Sequence, residues 1–260
     1  MEAIFKTKIY KVKGDKKFAF EDELVREIKL EIFVNSKKIG ALMSTPMDQK
    51  ELAVGYLKAE GIIDGYEDVD EIRLLNDGRK VDIKAKVNNK KIKKLDSEGV
   101  VISGCGRGMT ANVDPEEIEA KIIESDFILK ASTLSKAMGE FYKECPLYEQ
   151  TGCVHTAKLF IDEKTFFIGE DIAQHNTIDK AVGKAIMSGV DFSNSFLMVS
   201  GRLSSEMVAK AVMHQIPILA SRTATTCLGY KIAETFSLTL IGFVRGERMN
   251  IYTGDERIEI

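Results

Sequence analysis

The chain has 260 residues, with 37 basic and 40 acidic side chains and a formal net charge of −3. That is length enough for one large core or two smaller ones, and too little excess charge to argue for nucleic acid as a partner. Hydrophobic residues make up 44% and charged residues 30%, as in an ordinary folded protein, and no apolar run reaches the roughly 18 residues that a membrane span needs.

Met1 to Lys16 is charged and has no apolar stretch of the signal-peptide kind. The four cysteines, Cys105, Cys145, Cys153 and Cys227, are too few for a disulfide scaffold and are expected as thiols in a reducing cytoplasm. The first hundred residues read as α+β. Strands are expected at 28–34 and 38–42, joined by Asn35-Ser36-Lys37. An amphipathic helix follows over 49–60, with Leu52, Ala53, Tyr56 and Leu57 at helical spacing and Gly61 ending it. Asn76-Asp77-Gly78 marks a hairpin between strands 69–75 and 80–85. Six lysines between Lys84 and Lys94 read as a solvated strand and loop or, alternatively, as a patch for an anionic partner.

Residues 100–103 run into the loop Gly104-Cys105-Gly106-Arg107-Gly108. Asp114-Pro115-Glu116-Glu117 carries helix-start signals, and a further helix is expected over 134–143. From residue 151 strands alternate with helices. A hairpin at 157–161 and 165–168 precedes helix 179–187, strand 196–200, helix 205–214, strand 218–221, helix 227–235 and strand 238–244. This order predicts right-handed crossovers and a mostly parallel, covered sheet. The chain therefore divides into an N-terminal α+β part, residues 1–110, which ends in the Cys105 loop, and an α/β domain, residues 111–260.

Three of the later strands run into an arginine: Gly201-Arg202, Ser221-Arg222, and Arg245 followed by Gly246 and Arg248. Ligands bind at the carboxyl ends of strands in such sheets, and the following helices aim their positive ends at the same edge. With Ser200, Ser204 and Ser221 nearby, the guanidinium groups suit a phosphate-bearing ligand, most simply a nucleotide. The competing reading pairs these arginines with loop carboxylates. Glu170-Asp171 and Gln174-His175-Asn176 form a second polar cluster, with Asn176 as an expected helix cap and His175 as a ligand-binding or scaffold group. Cys153 and His155 do not make a zinc site, because no Cys-x-x-Cys accompanies them. Cys105 differs from the other cysteines. Its loop is rich in glycine, and the adjacent Arg107 favours thiolate. With no neighbouring base, a covalent carrier fits better than a hydrolase, the alternative being a chance cysteine in a loop.

These motifs together resemble the formate dehydrogenase accessory family, the FdhD-type sulfur carriers, over nearly the whole length. The resemblance rests on Ser44-Thr45-Pro46-Met47-Asp48, Glu51 to Leu57, and Glu60-Gly61-Ile62-Ile63. It continues through Thr151-Gly152 with His155, Glu170-Asp171 with His175-Asn176, and Asp179-Lys180. Ser200-Gly201-Arg202 with Ser204, Glu206 and Met207, then Ser221-Arg222 and Gly242 to Gly246, complete it. The resemblance implies a cytidine-deaminase-like three-layer α/β sandwich without zinc or deaminase chemistry. It implies a Cys105 persulfide loaded by a cysteine desulfurase. The sulfur would pass to the molybdenum cofactor, bis-molybdopterin guanine dinucleotide, before insertion into the formate dehydrogenase catalytic subunit. The family's cofactor-binding stretch falls on Phe243, Val244, Arg245, Gly246, Glu247 and Arg248, joined by Arg202, Ser204, Arg222, His175 and Asn176. A GDP-like ligand and a homodimer are further implications. Two positions depart from the family's pattern: Gly108 stands where the loop usually has a second cysteine, and Cys153 replaces a glycine. A cofactor-binding chaperone that delivers cargo without sulfur transfer is therefore the competing reading.

Overall fold

Alternation in the first long strand of the core puts Ile28, Leu30, Ile32 and Val34 on one buried face and leaves Lys29 exposed. The structure is a computed structural model describing residues 2–97, 102–103 and 115–260. The chain opens with a hairpin, β1 (Ile4–Lys13) and β2 (Lys16–Val25). Next come β3 (Ile28–Val34), β4 (Lys37–Ser44), α1 (Gln49–Ala59), β5 (Val69–Leu75), β6 (Lys80–Ala85), α2 (Asn89–Ser97) and β7 (Ile102–Ser103). The strands β3 to β7 form a five-stranded sheet in the order β5-β6-β3-β4-β7.

The second half contains β8 (Leu129–Lys130), α3 (Ala131–Gly139), α4 (Pro146–Thr151), β9 (His155–Phe160), β10 (Phe166–Asp171) and α5 (Gln174–Met187). Then follow β11 (Phe196–Val199), α6 (Ser205–Met213), β12 (Ile218–Ser221), α7 (Cys227–Thr235), β13 (Thr239–Arg245), β14 (Arg248–Thr253) and β15 (Ile258–Glu259). Six of these strands form a sheet in the order β10-β9-β11-β12-β13-β14. Side chains alternate through it. Leu197 and Val199 face the cluster that contains α5, α6 and α7, while Phe196 and Met198 face Leu134, Met138 and Phe141 at α3. Helices thus cover both faces, giving the α/β sandwich.

The helices α1 and α5 join the two sheets, and they touch through glycine. A Cβ on Gly55 would lie 2.0 Å from the Asp179 carbonyl oxygen, and one on Gly183 would lie 2.0 Å from that of Glu51. One apolar cluster consequently runs from Ile28 and Leu57 through Ile178 to Leu240.

Four expectations need correction. The six-stranded sheet is mixed: only β11 with β12 and β12 with β13 pair in parallel, and the other three pairings, those of β9 with β10, β9 with β11 and β13 with β14, are antiparallel. The helix expected from residue 114 is a single turn, Pro115–Glu117, after which Ile118, Ala120 and Ile123 pack individually into the core. Asp114 lies outside the described residues. The helix α5 begins at Gln174, so Asn176 sits within its first turn and is not its cap; Asp171 Oδ1 accepts from the Ala173 N–H at 2.9 Å. The lysine-rich stretch forms α2, with Lys91 bridged to Glu119 at 2.8 Å.

Candidate functional site

The three loops that follow β11, β12 and β13 are bonded to one another. Ser221 Oγ and Thr223 Oγ1 both donate to the Gly201 carbonyl at 2.7 Å. The Leu203 N–H donates to Ala224 O at 3.0 Å, and Phe243 N–H to Thr223 O at 3.0 Å. Thr226 Oγ1 caps α7 by accepting from the Gly229 N–H at 3.1 Å. Ser221, whose hydroxyl looked like a ligand donor in the sequence, therefore holds the loops and is wholly buried.

The arginines stand on this rigid edge. Arg202, Arg222, Arg245 and Arg248 are all exposed. Arg245 Nε donates to the Arg222 carbonyl at 3.4 Å, which brings two of the strand ends together. None of the four meets a carboxylate among the described residues, so no described loop carboxylate accounts for them. The Phe243 ring lies 5.5 Å from the Arg245 guanidinium. Its backbone has φ 53°, a left-handed conformation costly for a bulky side chain. A bulge between Gly242 and Arg245 causes this. Gly242 has no room for a Cβ, which would meet Thr223 O at 2.7 Å and Tyr252 Cε2 at 2.8 Å. The bulge turns Phe243 and Arg245 outward and buries Val244 completely. Gly246, Glu247 and Arg248 are exposed in the turn to β14. Ser204 immediately precedes α6 and makes no side-chain cap bond.

A second group flanks Arg202. His155 Nδ1 and Ser200 Oγ are 3.2 Å apart, and Ser200 Oγ accepts the Thr156 N–H at 3.1 Å. His175 Nε2 stands against the Glu206 carboxylate. Burial, and after it the charge of His175, push the His155 pKa below the usual imidazole range. Gln174 Nε2 donates to the Arg202 carbonyl at 2.8 Å, and Gly201 leaves it space, since a Cβ there would strike the Gln174 side chain at 2.5 Å. Asn176 is turned inward, donating to Met43 O at 2.8 Å and Asp171 Oδ1 at 3.0 Å. Cys153 is exposed, two residues before β9. Cys145 is buried and its thiol pKa is pushed up to about 11, chiefly by desolvation. Among the described residues no three His, Cys, Asp or Glu side chains cluster as a metal site.

The Cys105 loop lies outside the described residues, but its point of departure is fixed. Leu42 pairs with Ser103 of β7, and Ala41 with Ile102. The end of β4 and the residue after it dock at the base of the histidine group, where Met43 accepts from Asn176 and Thr45 N–H donates to Asp171 Oδ2 at 3.1 Å. Cys105 follows Ser103 by two residues in the sequence. Sequence reasoning had assigned no role to the buried centre of this junction. Lys180 Nζ reaches Asp171 Oδ2 at 2.6 Å, Thr45 Oγ1 at 2.7 Å and Glu170 O at 3.0 Å. A polar pair inside apolar runs, Glu170-Asp171 and Asp179-Lys180, is the signal that marks it.

The matches to known proteins agree with this architecture. Residues 25–259 match the model of the FdhD/NarQ family. A sulfur carrier protein FdhD from Wolinella succinogenes is 39% identical over 95% of this chain and 87% of its own length. One from Sulfolobus acidocaldarius is 35% identical over 99% of both chains. A crystal structure of a putative formate dehydrogenase accessory protein from Desulfotalea psychrophila superposes with a TM-score of 0.81 at 26% identity, covering 99% of this chain and all of that one. A family match over residues 25–259, with relatives of this identity and coverage, means that the chain belongs to the FdhD/NarQ family.

Proposed function

We propose that this protein is a sulfur carrier required for formate dehydrogenase activity. A cysteine desulfurase loads Cys105: the Cys105 thiolate attacks the terminal sulfur of the donor persulfide, a new S–S bond forms on Cys105, and the donor cysteine leaves as thiolate. The recipient is molybdopterin guanine dinucleotide, held at the arginine edge until it passes to the formate dehydrogenase catalytic subunit. The protein works in the cytoplasm as a homodimer.

The observation that carries this reading is the set of exposed guanidinium groups, Arg202, Arg222 and Arg245, with no described carboxylate partner. Together with the outward Phe243 ring they suit the phosphates and base of a guanine nucleotide. Gly108, in place of a second loop cysteine, favours a second reading, a chaperone that delivers the guanylated cofactor without adding sulfur. Incubation with a cysteine desulfurase and cysteine, followed by intact-protein mass spectrometry, separates the two. One added sulfur on the wild type and none on Cys105→Ser supports the carrier. No addition on either, with guanine-nucleotide binding retained, supports the chaperone.

A further inference from the structure

On the face of the six-stranded sheet that α3 covers, at the strand ends opposite the arginine loops, three phenylalanines meet across neighbouring strands. Phe160 lies 4.7 Å from Phe196 in a stacked pair and 5.0 Å from Phe166. The stripe above them is Thr133, Lys136 and Ala137 of α3 with Glu140, which caps it, at i, i+3, i+4 and i+7. Ala137 is its one apolar member and the smallest, so the helix does not fill the space over the rings. A cavity of about 180 Å³ remains.

Lys158 lies at the inner end of that cavity and is 3% exposed. Its ammonium donates to the Lys143 carbonyl at 2.5 Å and stands 4.7 Å from the Phe166 ring centroid. Among the described residues no carboxylate pairs with it. Glu140, the acid of the α3 stripe, is held by Lys143 at 2.8 Å. A buried ammonium with three donors and one acceptor is costly unless an anion joins it. The opposite chemistry surrounds it, an aromatic floor that attracts an apolar body.

We infer that this cavity binds a small monocarboxylate with an apolar, preferably single-ring, body. The carboxylate meets the free protons of Lys158 and the ring packs on Phe160, Phe166 and Phe196. The size agrees, since a cavity of about 150 Å³ already takes a benzene ring. Around it Glu140, Glu144 and Glu163 are balanced by Lys136 and Lys143, so Lys158 is the one buried charge this cavity offers, unlike the several guanidinium groups of the arginine edge.

Fluorine NMR titration of the full chain tests this, with para-fluorophenylacetate as probe and para-fluorobenzyl alcohol and para-fluorobenzylamine as controls. The acid is expected to bind saturably, the alcohol about 10-fold or more weakly, as befits loss of a charge-assisted hydrogen bond to a buried group, and the amine not at all. Lys158→Met is expected to abolish the preference for acid over alcohol. Ala137→Leu, which fills the cavity and leaves the charge in place, is expected to block both ligands. Added guanine nucleotide is expected to leave the titration unchanged. Absence of saturable binding, equal affinity for acid and alcohol, an unaltered preference in folded Lys158→Met, or competition by nucleotide would each overturn the proposal. If Lys158→Met does not fold, the wild-type selectivity and Ala137→Leu decide it.

Discussion

Lys180 Nζ lies 2.6 Å from Asp171 Oδ2, with both side chains wholly buried. Thr45 binds both partners, donating its N–H to Asp171 and accepting from Lys180 at Oγ1. The pair thus fastens the end of β4 to β10 and α5. Lys180→Met strands the Asp171 charge away from water and is expected to destabilise the protein by about 3–5 kcal/mol. Urea unfolding measures this, and a loss below about 1 kcal/mol, the scale of an exposed pair, would refute the role given to the bridge.

The α1–α5 crossing is equally specific. Gly55→Ala or Gly183→Ala drives a methyl group into a carbonyl oxygen and forces the helices apart, at about 1–3 kcal/mol or more, outweighing the gain in helix propensity. Gly139→Ala is the control. It is exposed at the end of α3 with open space around it and is expected to stabilise by roughly 0.4–1 kcal/mol. Equal effects at all three positions in denaturant melts would contradict the crossing geometry.

Phe243 combines an exposed ring with a left-handed backbone. Phe243→Gly removes the strain, so the protein is expected to gain about 1 kcal/mol in stability while binding GDP more weakly. Calorimetric melting and GDP titration are expected to move in opposite directions. A variant that is less stable and binds as before would show that the ring serves packing alone.

Acid sensitivity centres on the buried His214 and the half-buried His155. Desolvation lowers the pKa of His214, with Asp179 opposing, and burial lowers that of His155. In the unfolded chain both protonate near their ordinary value of about 6.5. The unfolded state therefore binds more protons below that pH, and stability present above it is lost as the pH falls. Melting temperatures are expected to drop between about pH 7.5 and pH 5.5, and His214→Gln is expected to flatten the drop. The same slope in the variant would exclude His214 as the cause.

The β1–β2 hairpin contributes no buried residue, and the family match begins where it ends, at residue 25. Its ties to the body include Arg26 Nε to Ile4 O at 3.3 Å. Removing residues 2–24 is expected to leave circular dichroism of the core intact and to lower Tm by only about 2–4 °C. A collapse of the melt would mean that the arm supports the fold.

Local patterns were legible where one interaction dominates. Periodicity in 49–60, turn residues in Asn76-Asp77-Gly78 and the short apolar runs at 196 and 218 each specify their element nearly to the residue. Elements without such a dominant local signal were not. The hairpin of residues 4–25 pairs charged and aromatic residues without a buried face to give it a pattern. The helix α5 begins early because Asp171, outside it, binds the Ala173 N–H. The turn at Pro115 stops because Ile118, Ala120 and Ile123 are each claimed by the core.

By itself the sequence determined the alternation of strands and helices, the placing of Arg202, Arg222 and Arg245 at strand ends and the singular loop setting of Cys105, because each follows from neighbours along the chain. Only the tertiary structure decided which polar groups face outward. It turned Asn176 and Ser221 into braces, buried Val244, forced Phe243 outward beside Arg245, and left Lys158 without an anion. Those outcomes depend on hydrogen bonds and packing between segments far apart in the chain, and burial makes each such bond obligatory in a way that residue order does not encode.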